Sequence, residues 1–266
     1  MAIKINNLEN KYRKIVQRLG NFEVLEYARD PSVAPDNAVT EYFMGTMGVR
    51  RRQVICHLNG NNSVITQAGA MHWIAGNVSA TTGLKGVGDL LGKVVKSKVT
   101  NETAIKPEYV GIGTVVLEPS YKYVILQNVE DWGQKGLTIE DGMFLASDGT
   151  VQQKVVARTN LSSAIMGNEG LFNLSLQGQG VIALESNVPM DEVIEIELVN
   201  DVLKIDGSFA ICWSTGLDFT VERSSKTLVG SMINSEGLVN VYRGTGKVLM
   251  SPITQCTKSL RATTHN

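Results

Sequence analysis

Three short segments of this chain read alike. Gly111-Ile-Gly113-Thr-Val-Val-Leu117, Gly178-Gln-Gly180-Val-Ile-Ala-Leu184 and Gly244-Thr-Gly246-Lys-Val-Leu-Met250 each set two glycines ahead of an apolar run, with first glycines 67 and 66 residues apart. Asn101-Glu-Thr103, Asn168-Glu-Gly170 and Ser235-Glu-Gly237 echo one another upstream of them. A second motif falls between these copies: Gln67-Ala-Gly69-Ala-Met71, Glu140-Asp-Gly142-Met-Phe144 and Ile205-Asp-Gly207-Ser-Phe209, with glycines 73 and 65 residues apart. A fixed period of this length means one supersecondary unit stacked on its neighbours. The expected architecture is all-β, with three repeats of about 65 residues, three sheets and a pseudo-threefold axis. The expected single β domain covers residues 21–253, with repeats at roughly 21–119, 120–186 and 187–253. An N-terminal extension (1–20) precedes it and a tail (254–266) follows.

The β assignment rests on short apolar runs between some of the 26 glycines. "GTVVLEP", "KYVILQNV", "GVIALES", "VIEIELV" and "GKVLMSP" read as strands of half-buried or buried type. Two segments read as helices instead. Leu8, Tyr12, Ile15, Val16 and Leu19 recur at helical spacing, which predicts a short N-terminal helix. Leu90, Leu91, Val94 and Val95 form an apolar stripe over 86–99 with Lys93, Lys96 and Lys98 beside it, and Asp89 is placed to cap it. The longer first interval of the second motif falls there, so this helix reads as an insertion into repeat one.

In their order and spacing, "TQAGAMHWIAGNV" (66–78), "EDGMFLASDGTV" (140–151), "NEGLFNLSLQGQGVIALES" (168–186) and "SEGLVNVYRGTGKVLMSP" (235–252) carry a family resemblance. The chain resembles the mitochondrial-biogenesis family named for altered inheritance of mitochondria, formerly a domain of unknown function, over roughly residues 20 to 253, and looks like its bacterial branch. The resemblance implies an all-β, three-repeat fold related to double-stranded β-helices. It also implies kinship with the subunits of the tryptophan-responsive RNA-binding attenuation protein. Fungal members are linked to mitochondrial inner-membrane organisation. The resemblance implies no catalytic residue set, and the bacterial members have no settled biochemical role.

Composition narrows the function further. With 43% hydrophobic residues in 266 the chain can bury a large core, and its net charge of −1 sets up no field toward nucleic acid or anionic lipid. Cys56, Cys212 and Cys256 form no CxxC pair, which fits a reducing compartment. The first twenty residues hold no secretory apolar core, and no window of about twenty apolar residues occurs. The expected location is the cytoplasm.

The glycine pairs invite a phosphate-loop reading, but such a loop needs a helix N-terminus after the glycines. Here a strand follows each pair, so Gly111, Gly113, Gly178, Gly180, Gly244 and Gly246 read as bends or bulges leading into strands. Gly69, Gly142 and Gly207 read as turn glycines, and Asp141 and Asp206 as turn aspartates rather than an acid–base pair. Cys56 and His57 are adjacent, so on a strand they point to opposite faces. His72 reads as structural, and His265 lies in the tail. No metal, cofactor or catalytic site is expected. Arg50-Arg51-Arg52 is the densest basic cluster. Together with Leu90, Leu91, Lys93, Val94 and Lys96 it forms the candidate interaction surface. Low aromatic content (6%) and the absence of a stacking motif argue against RNA as its partner.

The expectation is therefore a non-enzymatic scaffold or self-associating protein. It would be a homo-oligomer or bind another protein, with peripheral membrane contact through the 86–99 helix in view. The alternative is a small-ligand module with a pocket near the pseudo-threefold axis.

Overall fold

β-branched residues pack well on a pleated surface, and glycine or Asn-Gly pairs turn the chain between such runs. The computed structural model describes residues 3–81, 106–157, 172–206, 209–223 and 238–253. Its early strands are β1 (Arg13–Leu19), β2 (Phe22–Tyr27), β3 (Arg52–Thr66), β4 (Met71–Thr81) and β5 (Glu108–Leu117). The middle of the chain forms β6 (Tyr123–Asn128), β7 (Leu137–Ile139), β8 (Phe144–Asp148), β9 (Gln152–Ala157), β10 (Phe172–Gln177) and β11 (Val181–Ser186). The last are β12 (Ile194–Asp206), β13 (Ala210–Ser214), β14 (Asp218–Arg223) and β15 (Leu238–Met250). One helix, α1 (Ala38–Thr46), stands between β2 and β3. The five strands read from the sequence fall on β5, β6, β11, β12 and β15.

The strands join two curled sheets among the described residues, where three were expected. The first runs β1-β2-β3-β8-β11-β6, with β5 also on β3 and β4 on β5. The second runs β12-β15-β13-β7-β10-β9, with β14 on β15. The physical reason lies in the middle of the chain. Between β6 and β7 a 3-10 turn (Val129–Trp132) and two positive-φ glycines, Gly133 and Gly136, break the strand. β8 and β9, and then β10 and β11, break opposite it. The middle segment is thereby shared, with β6, β8 and β11 in the first sheet and β7, β9 and β10 in the second.

The N-terminal helix is also corrected: residues 13–19 form β1, antiparallel to β2. The register slips between Ile15 and Gln17, leaving Val16 as a bulge residue. That extra residue turns a period-two pattern into the 3–4 spacing that mimicked a helix. A helix of a dozen residues is marginal alone, whereas β1 gains a ladder to β2, which in turn pairs with β3. The 86–99 insertion and the 254–266 tail lie outside the described residues.

The largest core cluster joins the two sheets. Ile125, Ile182 and Leu184 from the first, with Val129 of the intervening 3-10 turn, meet Leu137, Ile139, Leu176, Ile211 and Leu249 from the second. A second cluster, with Phe22, Val54, Val64 and Val115, fills the first sheet. A third, built on Trp213, Tyr242 and Val248, fills the end of the second.

Candidate interaction surface

Gly111 and Gly113 lie inside β5, and Gly244 and Gly246 inside β15. Gly178 and Gly180 lie in the turn from β10 to β11. All six have positive φ: +127° and +158°, +102° and +133°, +119° and +159°. The neighbouring strand makes an excursion opposite each pair. β3 slips between Asn59 and Ser63, β12 slips between Leu198 and Asp201, and the chain leaves the sheet between β6 and β7. No helix follows any pair, so no helix amides face a phosphate there. Gly69 (φ +79°) and Gly142 (φ +78°) occupy turns into β4 and β8. Gly207 lies outside the described residues.

Cys56 is fully buried and His57 exposed, on opposite faces of β3. Burial pushes the Cys56 and Cys212 thiols far above their ordinary range, so neither is a ready nucleophile. His57 Nε2 lies 3.1 Å from Glu23 Oε2, and Glu23 also accepts from Arg18. His72 Nδ1 lies 3.1 Å from Gln53 Nε2. Asp141 stands in the turn ahead of Gly142. No group of three or more His, Cys, Asp or Glu among the described residues could hold a metal ion. No helix among them is long and apolar enough to cross a membrane.

The arginine cluster is turned onto its own chain. Arg50 Nη1 and Arg52 Nη2 reach the two oxygens of Glu26 at 3.0 and 2.7 Å. Arg51 pairs with Asp30 at 3.0 Å and with Glu41 at 3.7 Å, and donates from Nε to the Tyr121 hydroxyl at 2.7 Å. The Tyr121 hydroxyl in turn donates to Glu41. Arg52 lies 4.1 Å over the Tyr123 ring and donates to the Gly48 carbonyl, while Arg50 donates to the Gly45 carbonyl. The bond to Tyr121 holds the Arg51 guanidinium above its ordinary value. Burial pushes the Asp30 carboxyl up, but hydrogen bonds from Ser32 and the charge of Arg51 outweigh it and hold Asp30 low. These arginines clamp the Gly45 carbonyl and Glu41 of α1, and the Gly48 carbonyl just past it, against β2 and β3.

What they clamp is the feature that sequence reading passed over. None of the residues of α1 is buried. Val39, Tyr42, Phe43 and Met47, just past its C-terminus, are 68%, 70%, 61% and 81% exposed. Residues at this 3–4 spacing share one side of a helix, and Glu41 faces the other way. Tyr42 and Phe43 meet edge to face at 5.5 Å. Pro35 and Asp36 open the 3-10 turn that leads into it. Proline ahead of Val39, Tyr42, Phe43 and Met47 was the signal in the sequence. Of the expected surface, the structure describes Arg50, Arg51 and Arg52. Leu90, Leu91, Lys93, Val94 and Lys96 lie outside the described residues.

A cleft of about 300 Å³ opens between the turns at Gly69 and Gly142, lined by Gln67, Ala70, Glu118, Ser120, Phe144 and Glu185. Glu185 accepts from Ser120 at 2.7 Å and pairs with Lys122 at 3.2 Å. Gln67 Oε1 is buried there without a hydrogen-bond partner among the described residues.

Comparison with known proteins places this architecture. A family model described as mitochondrial biogenesis AIM24 matches residues 46–253. An uncharacterised protein of Streptococcus pyogenes serotype M6 is 30% identical over 203 residues, covering 74% of this chain and 79% of its own. A crystal structure of a Streptococcus pyogenes protein superposes with a TM-score of 0.57 at 27% identity, covering 77% of this chain and 89% of that one.

Proposed function

This chain belongs to the mitochondrial biogenesis AIM24 family, and from that premise we propose that it is a non-enzymatic scaffold that presents α1 to a protein partner. The exposed stripe Val39–Tyr42–Phe43–Met47 carries this reading. Full burial of such side chains yields roughly 1.5–3 kcal/mol each, a strong drive to find a cover. The stripe is held on a stiff base by Arg50, Arg51 and Arg52, so little ordering is lost on docking. α1 carries no Lys or Arg, and the adjacent arginines are occupied by Glu26, Asp30 and Glu41. That weighs against anionic lipid or RNA and toward a protein groove.

The test is a photo-crosslinking residue placed at position 42 in the native cell. A discrete crosslinked protein species is expected, lost when Phe43→Ser and Met47→Ser are added. Crosslinking no richer than from exposed, polar Asn61 would overturn the reading.

The cleft favours a second reading, a small-ligand module, because Gln67 Oε1, in the same lining as Glu118, is an acceptor unmet among the described residues. Native mass spectrometry of the purified protein tests it: a retained small molecule is expected, and a bare chain mass overturns it.

A further inference from the structure

Three segments of this fold follow one pattern: a central strand, continuous as β5 or β15 or split at its glycines into β10 and β11, holds a Gly-x-Gly pair and lies between a preceding strand a and a strand b. In the first segment a, b and the central strand are β3, β4 and β5. In the second they are β6/β7, β8/β9 and β10/β11, and in the third β12, β13/β14 and β15. Bulges mark the b strands at matching register. Met71 and Trp73 face Leu117 and Val116, Phe144 and Ala146 face Leu184 and Ala183, and Ala210 and Cys212 face Met250 and Leu249.

Successive segments are joined by one kind of contact. The end of each a strand pairs antiparallel with the start of the next b strand. Thr66, Ile65 and Val64 face Ala146, Ser147 and Asp148. Ile139, Thr138 and Leu137 face Cys212, Trp213 and Ser214. The third a strand, β12, and the first b strand, β4, are left over. Among the described residues β12 pairs only with β15 and β4 only with β5.

We propose that β12 of one copy pairs with β4 of a second copy, repeating the internal joint between molecules. The register follows from the two internal instances. Ile205 answers to Thr66 and Ile139, since each stands five residues before the first b residue (Ala210, Met71 and Phe144), and Trp73 answers to Ala146 and Cys212. Ile205 therefore faces Trp73, Lys204 faces Ile74 and Leu203 faces Ala75. Two apolar pairs result, Ile205 with Trp73 and Leu203 with Ala75. β4 is also an unguarded edge: Met71–Thr81 contains no Lys, Arg, Asp, Glu or Pro, the residues that usually block edge pairing. The contact is head-to-tail, so copies close into a ring or extend as a filament. It shares the reading of the protein as an assembly module but uses a surface separate from α1.

The experiment mixes two proteins, Ala75→Cys and Leu203→Cys, both carrying Cys256→Ser so that the introduced thiol is accompanied only by the buried Cys56 and Cys212, under mild oxidation. The mixture should give disulfide-linked pairs roughly tenfold above either protein alone, because only directly opposed Cβ atoms meet disulfide geometry. Asn77→Cys mixed with Leu203→Cys, two residues out of register, should stay at background. Ala75→Lys, with its melting temperature and circular dichroism retained, should shift light-scattering mass to the 28.9 kDa monomer. Phe43→Ser should leave that mass unchanged, which separates this joint from docking through α1. A wild-type monomer at high concentration, or preferential crosslinking of Ala75→Cys to itself, would overturn the proposal.

Discussion

A methyl group built on Gly111 would come within 2.1 Å of the Asn77 carbonyl oxygen, and one on Gly113 within 2.2 Å of the Ala75 carbonyl oxygen. At Gly244 the nearest atom is Leu217 Cδ2 at 3.7 Å. Both Gly111 and Gly244 have φ near +120°, where a side chain is strained. Gly244→Ala should therefore cost about 1–3 kcal/mol from backbone strain alone. Gly111→Ala should cost more, because the β4 backbone must also move. Urea unfolding of the two variants checks this, and equal midpoints would show that close approach of β4 is not what the glycine permits. The demand for glycine was visible in the sequence, but its cause was not: the recurrence marks the position, whereas the clash partner comes from a strand about thirty-five residues away. Asp30 gives a second test at this scale. Its folded-state value lies below the ordinary 3.8. Its charge therefore stabilises the fold above that pH, and the contribution is lost as pH falls through the lower folded value. The melting-temperature gap between wild type and Asp30→Asn should be present at neutral pH and close in acid below the ordinary 3.8. A gap that persists there would remove Asp30 from the clamp on Arg51.

Elements were legible where their pattern is local. β5, β11 and β15 follow from apolar runs after glycine. β1 was misread because one bulge residue, Val16, imitates a helical period. α1 was passed over because nine residues make only two and a half turns, and its apolar side faces out rather than into a core. β7 has just three residues and exists because β10 and β13 flank it. The outward stripe of α1 separates stability from function. Phe43→Ser should change stability by less than about 0.5 kcal/mol, as exposed positions do, while removing association through α1. Thermal melting beside the crosslinking assay checks both halves. A large drop in melting temperature would mean that the helix packs inward and the stripe is no docking face. Arg51→Ala should do the reverse of Phe43→Ser: it leaves the stripe intact but removes the ties from β3 to Glu41 and Tyr121, so α1 loosens from β3 and amide exchange in residues 38–46 quickens.

Sheet membership is the least local property of the molecule, and the three-sheet expectation failed on it. Nothing in the segment from 123 to 139 says that its two halves enter different sheets. That follows from where β11 and β10 lie after Gly178 and Gly180 divide them. The division places Ile139 at the centre of the molecule, fully buried and touching the cluster drawn from both sheets. Its ladder neighbours are Leu174 on one side and Cys212 on the other. If the two sheets were separate folding units, damage at Ile139 would unfold the second sheet and leave the first. If the shared cluster makes them one unit, both must go together. Ile139→Ala removes buried methyl groups and leaves a cavity, which should cost about 2–5 kcal/mol. Trp73 lies on β4 in the first sheet and Trp213 on β13 in the second, so variants keeping one tryptophan report each sheet alone. In the Ile139→Ala background both reporters should move to the same lower denaturant midpoint, coincident with far-ultraviolet circular dichroism. A first-sheet midpoint that stays at the wild-type value while the second falls would show that the shared core does not couple them.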